Sequence, residues 1–550
     1  MKKFIPFILA LPALLLLIFF KIIPIIYTVV LSTRDFFFAS NGENNVLEGL
    51  LQKSPAGLKA YSALFGMEGF RGAFLNTLRL SAFSILLTCL LALFLIVCIS
   101  KMPRRWLKLL AIILLAIPAF IPVTSFVWAF SNGLSPESGL IARLFTPEGA
   151  APKLFFGDPA LYPFLFAIMD AMRNVYIPVI LGVLVCEDHS AIAFRKIAFV
   201  MAGYAAARAT VFMSPDIETL MVSSNPLVAI SSNVLDMIRY QSVRMTTQYN
   251  VSAAAWVFKS VLQLIICIAA YFALKALSPS VARSIGRLDK KTRSTRGAIA
   301  GILGYVLFAA GSITVILLTF IQPFGRLAEG TKILLEDNVL PTAFANSLLY
   351  GILSCVLYGI VTLLLAYPLT ASRKLYPLIL LVLVSLSNNF IGEYIWYHKL
   401  GMINTVFPLV LGPGLSVIGA FALHFCVTAG REAAKWNPGL PGFIEYAGAA
   451  LLPLLTIVAI AFLANWGGYS YQERYLGESS AWGVGFYGRQ ILFASLPDFM
   501  MDGDWQAKMM NAKSAFVFLS SIVPAALGAL LIGLHRIFPL SAFVSQIRKG

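Results

Sequence analysis

Residues able to do chemistry are sparse in this sequence, and those present suit a passage better than a catalyst. Asp170 and Arg173 stand three apart in an apolar stretch, so on a helix they share one face and can pair with each other or meet a solute. Asn388 and Asn389 lie close to Glu393, Tyr394 and Trp396, and Asn465 stands beside Trp466 and near Tyr469. Amides next to aromatic plates suit a solute with hydroxyls on an apolar ring, while aromatic residues also collect at any membrane–water boundary. Arg208 and Lys259 are further cations in apolar surroundings; long stems can carry such charges to an interface, and Lys259 reads as structural. His189, His398, His424 and His535 lack metal-ligand spacing, and the six cysteines are scattered singly, so neither a metal site nor a disulfide framework is expected. Residues 325–332 have the glycine spacing of a phosphate-binding loop, but Thr331 precedes Lys332 where that loop needs Gly-Lys-Ser/Thr. No catalytic residues and no cofactor are expected, and the chain is not expected to hydrolyse ATP itself.

The elements that position these groups follow from composition. Of 550 residues, 59% are hydrophobic and 12% charged, against about 25% charged in a soluble domain, which excludes a soluble enzyme. Apolar segments long enough to cross a bilayer lie near 4–31, 77–100, 106–130, 160–185, 252–277, 297–321, 346–371, 375–392, 406–428, 446–466 and 513–537, with a weaker one near 194–213. About twelve transmembrane helices are therefore expected, the first an uncleaved anchor. The charge excess, 42 − 25 = +17, gathers in alternate loops such as 101–108, 195–196, 283–296, 373–374 and 431–435, which reads as the cytoplasmic side and gives nucleic-acid binding a low prior. Loops 131–160 and 467–510 carry acids and aromatics and are expected to face outward, with both termini cytoplasmic.

A repeat divides the chain. Phe74-Leu75-Asn76-Thr77-Leu78 returns as Phe344-Ala345-Asn346-Ser347-Leu348, an offset of 270, and 139–145 returns as 401–407, an offset of 262. The expected architecture is all-α: a first half over 1–277, a basic cytoplasmic linker over 278–296, and a second half over 297–550. With six helices in each half the repeats run parallel, with a pathway expected at their interface.

These residues resemble the permease subunits of binding-protein-dependent ABC importers of the carbohydrate-uptake type, with two permease halves in one chain. The first half resembles the larger subunit through Leu11-Pro12-Ala13, Pro24-Ile25-Ile26-Tyr27, Ile121-Pro122 to Trp128, Gly139-Leu140-Ile141 and Asp170-Ala171-Met172-Arg173-Asn174. The second resembles the smaller subunit through Asn346-Ser347-Leu348, Leu400-Gly401-Met402-Ile403-Asn404-Thr405 and Leu452-Pro453, with Asn465-Trp466 where the family usually has Trp-Asn. The family's ATPase-coupling loop begins Glu-Ala-Ala and turns at a glycine; here Glu432-Ala433-Ala434 and Gly439 form a worn copy within 431–453, its glycine displaced by one residue and Pro438 intruding. In the first half only a remnant around Glu187 and Asp188 is left. The resemblance implies a cytoplasmic ABC ATPase dimer and an extracytoplasmic solute-binding protein as partners, the bacterial cytoplasmic membrane as location, and a small-molecule solute, with a sugar expected. Translocation-path candidates are Asp170, Arg173, Asn388, Asn389, Asn465 and Trp466. The alternatives are an ion-gradient-driven twelve-helix carrier and a degenerate, non-transporting membrane subunit.

Overall fold

The computed structural model describes residues 5–35, 55–135, 139, 154–185, 192–244, 248–284, 295–336, 338–370, 375–430, 440–493 and 503–534. These residues are predominantly helical, and the only β-type pairing among them is an isolated bridge between Arg34 and Pro55. Eight helices are long and apolar enough to cross a membrane, and up to eleven if each of three sharply bent pairs counts as one span. The weak segment near 194–213 is a helix, Ile192–Ala209, which is not among them.

Long helices leave apolar side chains uncovered at helical spacing. The first, Ile5–Leu31, exposes Ile8, Leu11, Leu15, Ile18 and Ile26, and Val339–Thr370 exposes Leu348, Leu349, Ile352, Val356 and Ile360. Stripes of this kind would be a liability in water and are the surface that lipid requires. Their opposite faces bury small and aliphatic residues. One apolar cluster joins Ala13 and Leu17 to Leu365, Leu380, Leu423 and Tyr446, and another joins Leu95, Ile96, Leu115 and Val179 to Tyr305 and Ala309.

Three expected spans are not single helices: the one near 160–185 bends by 48° between Tyr162–Asn174 and Tyr176–Val183, and two others break more sharply. The segment near 106–130 breaks into Arg105–Phe120 and Val123–Gly133, which meet at 105°. A residue ahead of proline is pushed out of the helical region, and Ile121, ahead of Pro122, is extended (φ −65°, ψ 132°). The segment near 375–392 breaks into Leu375–Ser385 and Phe390–Lys399, bent by 87°. Here Asn388 takes φ 60°, a left-handed conformation that asparagine tolerates, and Asn389 accepts a hydrogen bond from the Gly392 N–H to start the next helix. Both breaks follow a long apolar helix, Phe70–Ser100 in one case and Val339–Thr370 in the other.

Two helices also contain a π-turn two residues ahead of a proline: the one that begins at Ile5, with Ile18–Ile22 before Pro24, and the one that begins at Ala310, with Leu317–Ile321 before Pro323. Proline supplies no N–H and its ring collides with the carbonyl four residues back, so widening one turn relieves both faults without ending the helix. Each of these helices packs on the other half of the chain. Ile5–Leu17 lies against Val339–Ala366 and Ile23–Leu31 against Phe390–Lys399, while Thr295–Phe308 lies against Phe70–Ser100 and Ala310–Ile316 against Arg105–Phe120. The helix that begins at Tyr249 runs to Ser284, into the stretch expected as linker.

Candidate functional site

Near the beginning of Phe70–Ser100 and of Val339–Ala366 stands an asparagine followed by a hydroxyl residue, and each pair grips a distant segment in the same way. Asn76 Nδ2 donates to the carbonyls of Ile230 (2.8 Å) and Asn233 (3.0 Å), and Thr77 Oγ1 accepts from the N–H of Leu235 (3.0 Å). Asn346 Nδ2 donates to the carbonyls of Ser480 (2.9 Å) and Trp482 (3.0 Å), and Ser347 Oγ accepts from the N–H of Val484 (2.8 Å). Both amide hydrogens are used, and the hydroxyl satisfies the first N–H of a helix that would otherwise lack a partner. The helices so positioned are Leu235–Arg244 and Val484–Phe493.

Between the clamped segments lies a row of charged groups. Asp170 and Arg173 do not pair with each other, contrary to the simplest expectation from their spacing. Asp170 accepts two hydrogen bonds from Arg208 Nη2 (3.0 and 2.9 Å), and Arg173 Nη1 reaches Asp216 (3.1 Å). Arg208 therefore ends at a buried carboxylate rather than at an interface. Asp216 also accepts from the Thr219 N–H (3.3 Å) and hydroxyl (2.7 Å), capping the Ile217–Ser223 helix. Two residues on, Glu218 Oε1 accepts the N–H groups of Tyr469 (3.1 Å) and Ser470 (2.9 Å), tying the first half to the second. Burial pushes the Glu218 carboxyl above its usual range, Asp216 adds to the shift, and the two N–H donors oppose it. Glu473 Oε1 accepts from Arg489 (2.6 Å) within the second half and from the Tyr240 hydroxyl (2.8 Å) of the first.

A second cluster surrounds the 386–389 break. Lys21, in the first π-turn, donates to Glu393 (2.7 Å), which is 2% exposed. Thr28 Oγ1 donates to Asn389 Oδ1 (2.7 Å), and the Asn388 carbonyl accepts from Arg239 Nη2 (2.7 Å). Arg239 also pairs with Asp236, whose carboxylate oxygens lie 2.7 and 2.8 Å from Lys259 Nζ; Lys259 thus serves as a buried structural partner. Gly392 permits the close approach, because a Cβ there would stand 2.2 Å from the Pro24 carbonyl oxygen and 2.3 Å from Thr28 Oγ1.

The expected path residues therefore separate. Asp170, Arg173, Asn388 and Asn389 belong to polar networks, each of the four bonded directly to a distant element. Asn465 and Trp466 lock helices of the second half: Asn465 Nδ2 donates to Ser354 Oγ (2.9 Å) and Trp466 Nε1 to the Ser520 carbonyl (3.0 Å). Glu432, Ala433, Ala434 and Gly439, with the remnant Glu187 and Asp188, lie outside the described residues. Sequence reasoning missed Asp216, Glu218, Asp236, Arg239, Glu473 and Arg489, because they sit in short stretches between apolar segments, where a charge reads as solvated.

A cavity of about 580 Å³ opens between the halves, lined by the end of the Val123–Gly133 helix, residues 154–156 and 221–225, and the end of the Val484–Phe493 helix. Each clamp holds one wall: Asn76 fixes the chain that follows 221–225, and Ser347 fixes the start of the helix carrying Arg489 and Gln490.

No protein-family model matches the chain, and no curated protein matches it. Among solved structures, it is similar to a bacterial alginate ABC transporter crystallised with an alginate pentasaccharide-bound periplasmic protein, at 17% identity and a TM-score of 0.39, over 48% of this chain and 90% of that one. It is also similar to a bacterial ABC transporter involved in the import of the acidic polysaccharide alginate, at 17% identity and a TM-score of 0.41, over 48% of this chain and 93% of that one.

Proposed function

We propose that this chain is the membrane-spanning permease of a binding-protein-dependent ABC importer, with two parallel six-helix permease halves in one polypeptide. The observation that carries this reading is the recurrence of the Asn-hydroxyl clamp at Asn76-Thr77 and Asn346-Ser347, each holding two backbone carbonyls and one backbone N–H of a distant segment. The two broken helices that follow, and the exchange of first helices between halves, support the same reading. A duplicated, crossed arrangement places a pathway between two halves that can rock against each other.

In this account an external binding protein delivers the solute, a sugar by the family resemblance. A separate ATPase dimer supplies the energy through the loop around Glu432 and Gly439, and the chain sits in the bacterial cytoplasmic membrane with both termini inside. It performs no hydrolysis itself. Glu432→Ala combined with Gly439→Pro tests the coupling: energised uptake should fall at least about tenfold while the chain still reaches the membrane. Unchanged uptake would sink the coupling assignment.

A further inference from the structure

One end of the apolar surface carries a cluster of exposed cations. Lys101 and Arg104 lie in the turn that joins Phe70–Ser100 to Arg105–Phe120, and both are exposed, as is Arg105 at the start of the second helix. Met102, between them, is buried and its N–H donates to the Ile99 carbonyl (3.1 Å), which anchors the turn. A single exposed stripe leads to this place: Leu86, Leu90, Phe94 and Val97 stand at helical spacing on the first helix, and Lys101 continues the row. Helix Thr295–Phe308 closes on the same turn. A Cβ at Gly301 would stand 2.7 Å from the Cys98 carbonyl oxygen and 3.0 Å from Lys101 Cβ, and Phe94 stacks on Phe308 with ring centroids 4.7 Å apart. The Tyr305 hydroxyl donates to the Ala111 carbonyl of the following helix (2.9 Å), and Leu303 and Val306 widen the exposed apolar surface. On helix Arg105–Phe120, Trp106 is 51% exposed, and Leu110, one turn further on, is exposed as well.

We propose that the 101–106 turn is a binding site for an anionic phospholipid, its phosphate held by Lys101 and Arg104 and an acyl chain laid along Leu90, Phe94 and Val97. The match is one of charge and of depth. Apolar side chains meet the hydrocarbon, an indole such as Trp106 sits at headgroup level, and cations at that level attract anionic headgroups. A zwitterionic headgroup brings a cation of its own to the same place and gains less. The contacts at Gly301 and Met102 hold the turn against its neighbours, so the two cations are presented at a fixed position. The site uses only the apolar surface and this turn, and it stands or falls apart from the permease reading.

The test is native mass spectrometry of the full chain, released from uncharged detergent micelles after titration with dioleoyl phosphatidylglycerol or dioleoyl phosphatidylcholine, which resolves individual bound lipids. Phosphatidylglycerol should bind the more tightly, and Lys101→Gln with Arg104→Gln should weaken it by about fivefold for each cation removed. The charge-conserving exchange Lys101→Arg with Arg104→Lys should keep the preference. Arg326→Gln with Lys332→Gln, which removes two exposed cations elsewhere on the surface, should leave it unchanged. Elution volume and melting temperature establish that the variants fold, and Arg104→Gln alone carries the test if the double variant does not. Equal binding of the two lipids would overturn the proposal, as would a preference that survives the loss of both cations or falls equally in the Arg326 and Lys332 variant. Displacement of the lipid by glycerol 3-phosphate at comparable concentration would also overturn it, because the turn would then be a site for soluble phosphate.

Discussion

Asn76 and Asn346, 270 residues apart, make the same bonds: each amide nitrogen spans two backbone carbonyls of a distant turn while the next side-chain hydroxyl caps the helix that follows. Replacing either residue takes the donor away from two backbone carbonyls. Asn76→Ala should lower stability by about 1–3 kcal/mol, and Asn346→Ala by less, because Asn76 is buried and Asn346 only partly so. Melting temperatures in one detergent check the order, and equal, negligible effects would refute it.

Lys21 and Glu393 are a pair whose partners are worth more together than apart. Lys21→Met leaves a carboxylate 2% exposed without its 2.7 Å partner, a loss of about 3–5 kcal/mol when a buried pair is broken from one side. Adding Glu393→Gln should return part of that stability. A double variant no better than Lys21→Met would show that the pair does not hold the π-turn against the second half.

Gly392 is constrained by contact rather than by conformation. Gly392→Ala forces a Cβ to within 2.2 Å of the Pro24 carbonyl oxygen and should cost about 1–3 kcal/mol through displacement of the first helix. Gly448→Ala, where nothing lies within 4 Å, is the matched control and should be neutral or slightly stabilising. Similar melting curves for the two variants would contradict the close packing.

Asp170 has two arginines in reach of a sequence argument but bonds directly to Arg208. In a double-mutant cycle, Asp170→Asn should couple to Arg208→Gln more strongly than to Arg173→Gln, by at least about 0.5 kcal/mol. Stronger coupling to Arg173 would restore the i,i+3 pair that helical spacing alone favours.

The contrast between these residues shows what the sequence made legible. Apolar length located most of the helices that are long and apolar enough to cross a membrane, because burial in hydrocarbon admits few other readings. The Asn76 and Asn346 motifs were visible as a repeat, but their bonding partners lie 134 to 158 residues away and depend on how the halves fold back. Pro122 and Asn388 announce turns, yet the apolar residues around them masked breaks of 105° and 87°. Cation placement was the weakest inference. Arg208 finds Asp170, and Arg239 finds Asp236 and Asn388, through contacts that no local periodicity encodes.

The central proposal is that this chain is a permease driven by a separate ATPase, and the most direct measurement is to isolate the tagged chain from its native membrane in mild detergent and identify its companions by mass spectrometry. The account predicts a stoichiometric ATPase bearing a phosphate-binding loop, lost when Glu432 and Gly439 are replaced. A chain recovered alone that still accumulates solute in vesicles without ATP would contradict it.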